Sequence, residues 1–452
     1  VITEVEKEVK VKNWWIGGRW LVPCSLVMLG VLVVFSLMNE ILPASSDVVI
    51  YFKYAQRTLE GGEIPFRDFV VEYPPFALFF IYVPALACYL GGGLDLLRYT
   101  WLFHVECFLL TMGTLWLGYS LLVHLYPKVS SRKFKLQGQQ LVNFTIGAFL
   151  IAIYLYQRLD VGAAFLTMLA LWWLYKGRLG WSGVALALGT MAKLYPAVML
   201  GPILLYLWTT SQTSPLTPLL QERGTNEKEK FFAGKRAAVG WYVIGFGVGC
   251  AVTVLPFAVI GLKGLWGFLQ YHSERGVEVE AVFASIIALG NYLGVTQAKV
   301  DLLHNSFEMV SDWGKPLATF STALTVLGLL VIYGWLWRNW RQRQERLDFE
   351  WLVAASSLCV LWFILANKVL SPQYMVWLLP LVLFWKGWNK VAIFLLAVTL
   401  SNLPYPFLVD WLVKLDPVPF AIIAVRNVLL IVILVMLVAD LWPKPNKELV
   451  KP

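Results

Sequence analysis

Apolar stretches of about 20 residues, long enough to cross the ~30 Å hydrocarbon core of a bilayer as helices, recur along the whole of this 452-residue chain. Few folds are open to such a chain. In lipid every backbone polar group must be satisfied internally, which leaves helices and closed barrels, and runs of this length and density read as helices. Composition agrees, with 59% hydrophobic and 14% charged residues, where soluble domains hold roughly 45–50% and ~25%. A soluble enzyme, a disordered chain and a secreted disulfide scaffold are thereby excluded. The cysteines (Cys24, Cys88, Cys107, Cys250 and Cys359) all lie in apolar segments without CxxC spacing. They read as core or lipid-facing residues, not as a disulfide framework or metal site. The net charge of +9 belongs to loops that orient a membrane protein, so no nucleic-acid partner is inferred.

The expected fold is therefore all-α, a single polytopic domain over 1–452 with about 12 spans. The spans are read at 20–41, 97–125, 140–157, 160–177, 180–193, 196–209, 237–261, 317–337, 350–366, 372–387, 390–403 and 418–441. The first follows a charged arm and lacks a small-residue cleavage site, so it reads as a retained helix. Basic clusters at Lys128, Arg132, Lys133 and Lys135, at Arg338, Arg341, Arg343 and Arg346, and at Lys444, Lys447 and Lys451 should all be cytoplasmic. They fall on one side if 74–91 lies along the membrane face instead of crossing it, which puts both termini in the cytoplasm. The spans 180–193 and 196–209 are short and flank Lys193-Leu194-Tyr195-Pro196, so one long kinked helix is the alternative there. Segment 210–236, rich in Pro, Ser, Thr and charge, reads as a disordered cytoplasmic linker.

On this topology ionisable groups gather at the outer face. In the first outer loop, 42–96, Asp47 follows the first span. Ser45 or Ser46 can cap a short interfacial helix over Val48, Tyr51, Phe52, Ala55 and Leu59, ending at Gly61-Gly62. Arg158 and Asp160 follow the third span, and Lys193 and Tyr195 the fifth. The second large outer loop, 262–316, carries Tyr271-His272-Ser273-Glu274-Arg275 and then Glu278 and Glu280; Asn367-Lys368 and Ser371-Pro372-Gln373-Tyr374 join the ninth and tenth spans. Snorkelling accounts for any one of these alone. Both charge signs converging on one face point to a site.

Several of these residues carry a resemblance. Asp47, Tyr51, Ala55, Gly61-Gly62, Ile64-Pro65-Phe66, Asp68 and Tyr73-Pro74-Pro75 resemble the first outer loop of family 87 glycosyltransferases, polyprenol-phosphate-mannose-dependent enzymes of the GT-C superfamily. Arg158-Leu159-Asp160, Lys193-Leu194-Tyr195-Pro196, and Ser371-Pro372-Gln373-Tyr374 followed by Trp377-Leu378-Leu379-Pro380 are similar to that family too, over about 20–390. The resemblance implies a first-loop acid near the first span and a lipid-linked sugar donor entering from the bilayer. It also implies a glycolipid or glycan acceptor, with mannose or another hexose or pentose transferred.

That chemistry needs a base for the acceptor hydroxyl, cations for the leaving phosphate and an apolar groove for the lipid. Asp47 is the expected base, matching the family's first-loop acid; a helix-terminal or interfacial carboxylate is the plainer reading. Asp160 is the second acid, to orient the acceptor or to pair with Arg158. Lys193, Lys368, Arg275, Arg158 and His272 are candidate phosphate ligands. Lys193 sits in apolar surroundings, where an uncompensated charge costs ~2.5–3.5 kcal/mol on insertion scales, so a partner is expected for it. Tyr73, Tyr195, Gln373 and Tyr374 are candidates to bind sugar or acceptor, with the interfacial aromatic belt as the alternative. No cofactor or metal is expected, since the sequence has no paired-acid DxD motif. The expected location is a prokaryotic plasma membrane with the site on the exocytoplasmic face, the endoplasmic reticulum lumen being the eukaryotic equivalent. A transporter or flippase of lipid-linked sugars, or a glycan polymerase or ligase, remains open beside the transferase.

Overall fold

The computed structural model describes residues 4–41, 46–126, 131–210, 227–343 and 347–442. The protein is mostly helical. Among the described residues, 7 helices are long and apolar enough to cross a membrane: Trp20–Met38, Leu96–Leu125, Gly234–Gly261, Gly314–Gln342, Phe349–Ala366, Trp388–Phe407 and Pro417–Leu441. Shorter apolar helices include Ala77–Leu90, Asp160–Tyr175, Leu179–Ala192 and Val282–Tyr292.

In chain order, α1 (Glu4–Ile41) leads to the short α2 (Ser46–Leu59), α3 (Ala77–Leu90) and the long α4 (Leu96–Leu125). Helix α2 runs over the residues expected of the interfacial helix. Helix α3 has 14 residues, about 21 Å at 1.5 Å per residue, which is less than the hydrocarbon thickness. Then follow α5 (Ser131–Leu150), α6 (Ala152–Gln157), α7 (Asp160–Tyr175), α8 (Leu179–Ala192) and α9 (Leu200–Thr210). Between α8 and α9 the backbone is extended at Lys193 (φ −154°, ψ 130°) before a 3-10 turn at Tyr195–Met199. Residues 180–209 are thus two short helices joined by an extended residue and a 3-10 turn, not one continuous helix.

Helix α10 (Glu227–Glu274) begins inside the segment read as a disordered linker, so 227–236 is helical; residues 211–226 of that segment lie outside the described residues, as do Lys128, Arg346 and the basic tail. The helix packs against α8 through glycines. A Cβ on Gly183 would lie 2.2 Å from the Tyr242 carbonyl oxygen, and one on Gly245 2.0 Å from that of Gly180. Close backbone approach of this kind is how helices associate where lipid removes the hydrophobic drive.

At Gly261 (φ −163°, ψ 66°) the helical geometry is interrupted and the helix bends. There the first loop docks on it: Phe66 (φ 63°) brings its carbonyl against Gly264, where a Cβ would come within 1.6 Å. Beyond this point the all-α expectation is corrected. Strand β1 (Val277–Glu278), helix α11 (Val282–Tyr292), β2 (Ala298–Leu303) and β3 (Ser306–Ser311) form a small sheet of order β1-β3-β2. The β2–β3 hairpin turns at His304-Asn305, both with positive φ (48° and 55°), the geometry of a two-residue hairpin turn.

The chain ends with α12 (Gly314–Arg343), α13 (Phe349–Ala366), α14 (Met375–Val382), α15 (Trp388–Ser401), α16 (Val409–Val413) and α17 (Pro417–Leu441). Every residue of α14 is buried; its 8 residues lie inside the expected span 372–387 and are too few to cross a bilayer alone. Helix α13 is 72% buried over its most apolar window, whereas Gly234–Gly261 and Gly314–Gln342 are only 17% buried. The centre of the bundle is thus α7, α13 and α14, and the lipid-facing wall includes α10 and α12. At one end of the bundle, ion pairs and hydrogen bonds link Lys386 to Glu350, Tyr126 to Glu350 (2.7 Å), Lys176 to His124 (2.9 Å) and Lys390 to Asp440. The expected site residues lie at the other end.

Candidate functional site

The site is assembled from helix ends. Asp47 sits in the first turn of α2, where a carboxylate is favoured by the helix dipole. It forms an ion pair with Arg158, which occupies an extended position between α6 and α7 (φ −134°, ψ 140°). The pair is largely enclosed, with side-chain exposures of 14% and 13%. The sequence leaves two roles open to Asp160, orienting the acceptor or pairing with Arg158; the ion pair of Arg158 goes to Asp47 instead.

Asp160 opens α7 and is completely buried. Its Oδ2 lies 3.5 Å from Lys193 Nζ, and its Oδ1 accepts a 2.6 Å hydrogen bond from Trp377 Nε1. Lys193 thus has the partner its apolar setting called for, and its ammonium also stands 5.1 Å from the centre of the Tyr73 ring, within cation–π range. Tyr73 Oη accepts from Tyr51 Oη at 3.4 Å. Trp377 is stacked between two rings: Tyr195 at 4.6 Å and 7°, and Tyr374 at 3.8 Å and 20°. Tyr195 Oη lies 3.0 Å from Thr167 Oγ1, which fixes the outer ring of the stack. Gln373, in the Pro372–Tyr374 turn, is half-buried.

A second group adjoins the first. Arg275 donates to Ser306 Oγ at 2.7 Å, and its Nε is 3.9 Å from Glu308. Lys368 Nζ donates to the carbonyls of Ser273 (3.0 Å) and Arg275 (2.7 Å). It therefore ties two loops together instead of snorkelling freely. His272 is half-buried, and its Nε2 donates to the Glu72 carbonyl at 3.0 Å. Burial first, and then the nearby cations Arg275, Lys193 and Lys368, push its pKa down to about 4. The ring is neutral near pH 7.

Four residues of this region were not assigned roles from sequence. Trp377 belongs to a quoted motif, but nothing local marks its indole as the donor to Asp160. Arg426 is a lone arginine deep in the apolar α17, a signal that was available; it donates to Glu280 Oε2 at 3.1 Å and to the Glu280 carbonyl at 2.9 Å. Glu278 and Glu280 alternate with valines in Val277-Glu278-Val279-Glu280, and all four are buried. Glu106, in α4, has a buried Oε2 without a hydrogen-bond partner among the described residues and stands outside this arrangement.

Two acid–cation pairs thus lie beside an aromatic stack, at one end of a lipid-embedded bundle. Carboxylates suit hydroxyl groups, cations suit a phosphate, and stacked rings suit the apolar faces of a sugar. Among the described residues no group of three His, Cys, Asp or Glu side chains is placed to hold a metal ion.

A profile of glycosyltransferase family 87 matches residues 69–372. The match takes in Tyr73, Arg158, Asp160, Lys193, Tyr195, His272, Arg275 and Lys368, and leaves Asp47, Gln373 and Tyr374 outside it. Among solved structures, the apo oligosaccharyltransferase of Archaeoglobus fulgidus aligns with 96% of this chain and 57% of its own, at 12% identity and a TM-score of 0.40. The chain therefore spans little more than half the length of that protein. No curated protein sequence matches the chain.

Proposed function

The chain belongs to glycosyltransferase family 87, and from that premise we propose that this membrane glycosyltransferase moves a hexose or pentose, mannose foremost, from a polyprenyl-phosphate donor to a glycolipid or glycan acceptor. The observation that carries this reading is the pairing of Asp47 with Arg158 beside Asp160 with Lys193. Each carboxylate is matched to a cation that a phosphate would attract, so donor binding draws Arg158 and Lys193 onto the phosphate and frees the acids for hydroxyl groups. Asp47 then takes the acceptor proton as that oxygen attacks the anomeric carbon. Asp160, held by Trp377, orients the sugar or the acceptor. Arg158, Lys193 and Arg275 stabilise the leaving phosphate, and the rings of Tyr73, Tyr195 and Tyr374 line the sugar. One displacement inverts the anomeric carbon.

An apolar groove supports a lipid-linked donor. It is lined by Gly201, Leu204, Trp208, Val239, Tyr333 and Trp337, between α9, α10 and α12. Tyr333, which lines it, donates from its Oη to the Val198 carbonyl at 2.8 Å. The site faces the exocytoplasmic side in this reading. The Glu350–Lys386 end and both termini are cytoplasmic, and about 12 segments cross or enter the bilayer.

The test is sugar transfer from a panel of synthetic polyprenyl-phosphate sugars by the parent and by Asp47→Asn. Transfer by the parent, reduced about 100-fold or more in Asn, is the expected result. Activity surviving in Asn would move the base to another acid. A folded parent that uses none of the donors would overturn the donor class.

A further inference from the structure

Glu72, in the first loop, is gripped by the segment that carries the sheet. Asn305 Nδ2 donates to its Oε1 at 2.6 Å, and Tyr271 Oη donates to its Oε2 at 2.9 Å. The same phenol oxygen lies 2.6 Å from the His304 carbonyl oxygen, and His272 Nε2 donates to the Glu72 carbonyl at 3.0 Å. One residue is thus held from the end of α10 and from the β2–β3 turn at once. Those partners are themselves fixed, since β2 and β3 pair along their whole length, from Ala298 opposite Ser311 to Leu303 opposite Ser306. Glu72 and Tyr73 lie outside helix and strand, and Pro74 and Pro75 after them have no N–H to donate. Side chains therefore fix this stretch.

The residue next to Glu72 reaches the site. The Tyr73 ring meets Tyr51 edge-on, at 5.6 Å and 71°, and Lys193 Nζ stands 5.1 Å from its centre. Three residues on, Phe76 N–H donates to the Met191 carbonyl at 2.8 Å, in the last turn of α8, which leads directly into Lys193. Tyr73 is therefore held between two clips, Glu72 on the sheet side and Phe76 on the α8 side. Its ring is one wall of the space that Lys193 occupies. Lys193 is held loosely by its acid, 3.5 Å from Asp160 Oδ2, at the outer limit of a hydrogen bond. A flexible ammonium held in this way lies where its other neighbours direct it, and a ring face attracts it.

Resting on the donor reading above, we propose that Glu72 is a positioning residue for the donor: by clamping Tyr73 it keeps Lys193 from closing on Asp160 and leaves it available to the phosphate. Both carboxylate oxygens of Glu72 are taken by donors, so its part is to hold and not to move a proton. Without the clamp Tyr73 leaves the Lys193 ammonium, which then closes on the opposite charge of Asp160. The phosphate must compete with that tighter pair, so the loss falls on donor binding. The chemical step, which belongs to Asp47, keeps its rate once the donor is bound.

The experiment measures transfer from a polyprenyl-phosphate sugar by the full chain, by Glu72→Ala, by Glu72→Gln and by Tyr271→Phe combined with Asn305→Ala. Glu72→Ala should raise donor KM about tenfold with little change in kcat. Glu72→Gln, whose amide still bonds to Asn305 and Tyr271, should restore most of the donor KM. Removing the partners from the other side should reproduce the effect of alanine. The comparison that separates positioning from mere support is made in a Tyr73→Leu background. There Glu72→Ala should raise donor KM no further, because it acts through the ring already removed; a merely structural role would add its full effect. Equal donor KM in the parent and Glu72→Ala, a Gln variant as weak as Ala, or full additivity with Tyr73→Leu would each overturn the role of Glu72 and leave the donor reading standing. If Glu72→Ala does not fold, Tyr271→Phe with Asn305→Ala carries the same comparisons. A parent that transfers from no polyprenyl-phosphate donor removes the donor reading and the role of Glu72 together.

Discussion

Asp160 is anchored by a hydrogen bond that no neighbour in sequence supplies. The Trp377 indole N–H is 2.6 Å from Oδ1, and charge-assisted bonds of this kind contribute ~1.5–3 kcal/mol. Trp377→Phe keeps an aromatic ring between Tyr195 and Tyr374 but removes the donor. The expected outcome is a fall in kcat/KM of about tenfold or more together with a lower thermal midpoint, read from steady-state transfer and thermal unfolding in detergent. His272 gives a prediction of a different kind. Its pKa falls from 6.5 to about 4 in the folded protein, so the unfolded chain binds the proton more readily. Stability linked to this ring is whole above pH 6.5 and is lost as pH falls towards 4. Melting curves across that range should show a smaller acid loss in His272→Gln than in the parent. Of the residues at this end, Asp47, Arg158, Asp160 and Lys193 were legible from sequence as ionisable groups at helix ends. Their pairing was not, because Arg158 turns to an acid on α2 and leaves Asp160 to a lysine on another connection.

Elements were legible where periodicity and breakers agree. The apolar spacing of Val48, Tyr51, Phe52, Ala55 and Leu59 gives α2 its buried face, and Gly61-Gly62 follows its end. Lys193 before Leu194-Tyr195-Pro196 marks a break, and α8 stops there. The sheet was missed although its signals are present. Val300 and Leu302 alternate on one strand and Phe307 and Met309 on the other, around His304-Asn305, within a loop otherwise read by its charges. The glycine contacts between helices make a sharp prediction. At Gly183 a Cβ would sit 2.2 Å from backbone, so the helices must part. Gly183→Val should destabilise the protein by about 1–3 kcal/mol, seen as a lower midpoint of thermal unfolding in detergent. A half-buried glycine with open space around it, Gly240, serves as the control and should tolerate alanine.

At the scale of the whole molecule, the bundle has two charged ends. One carries the acid–cation pairs of the site, and the other carries Glu350, Lys386, Lys390 and Asp440. The proposed orientation places the first outside. Lys299→Cys, on the exposed strand β2, should react with an impermeant thiol reagent in intact cells, and Gln342→Cys, at the end of α12, should react only after permeabilisation. The native cysteines are buried or, for Cys250, half-buried, which keeps the background low. Equal labelling of both sites from outside would overturn the orientation.

Sequence alone determined that this chain lives in a bilayer as a helical bundle, and that its ionisable groups collect at helix ends. Hydropathy is a property of consecutive residues, and lipid leaves a helix as the way for an apolar run to satisfy its own backbone. The family resemblance was carried by short motifs read the same way. Tertiary structure alone decided which acid meets which cation, that Trp377 serves Asp160, and that Glu72 clips the first loop to the β2–β3 turn. Those outcomes depend on which helix ends are brought together, and in lipid that choice is made by close packing between glycine-bearing faces. Segments far apart in the chain settle it jointly, so no window of sequence contains it.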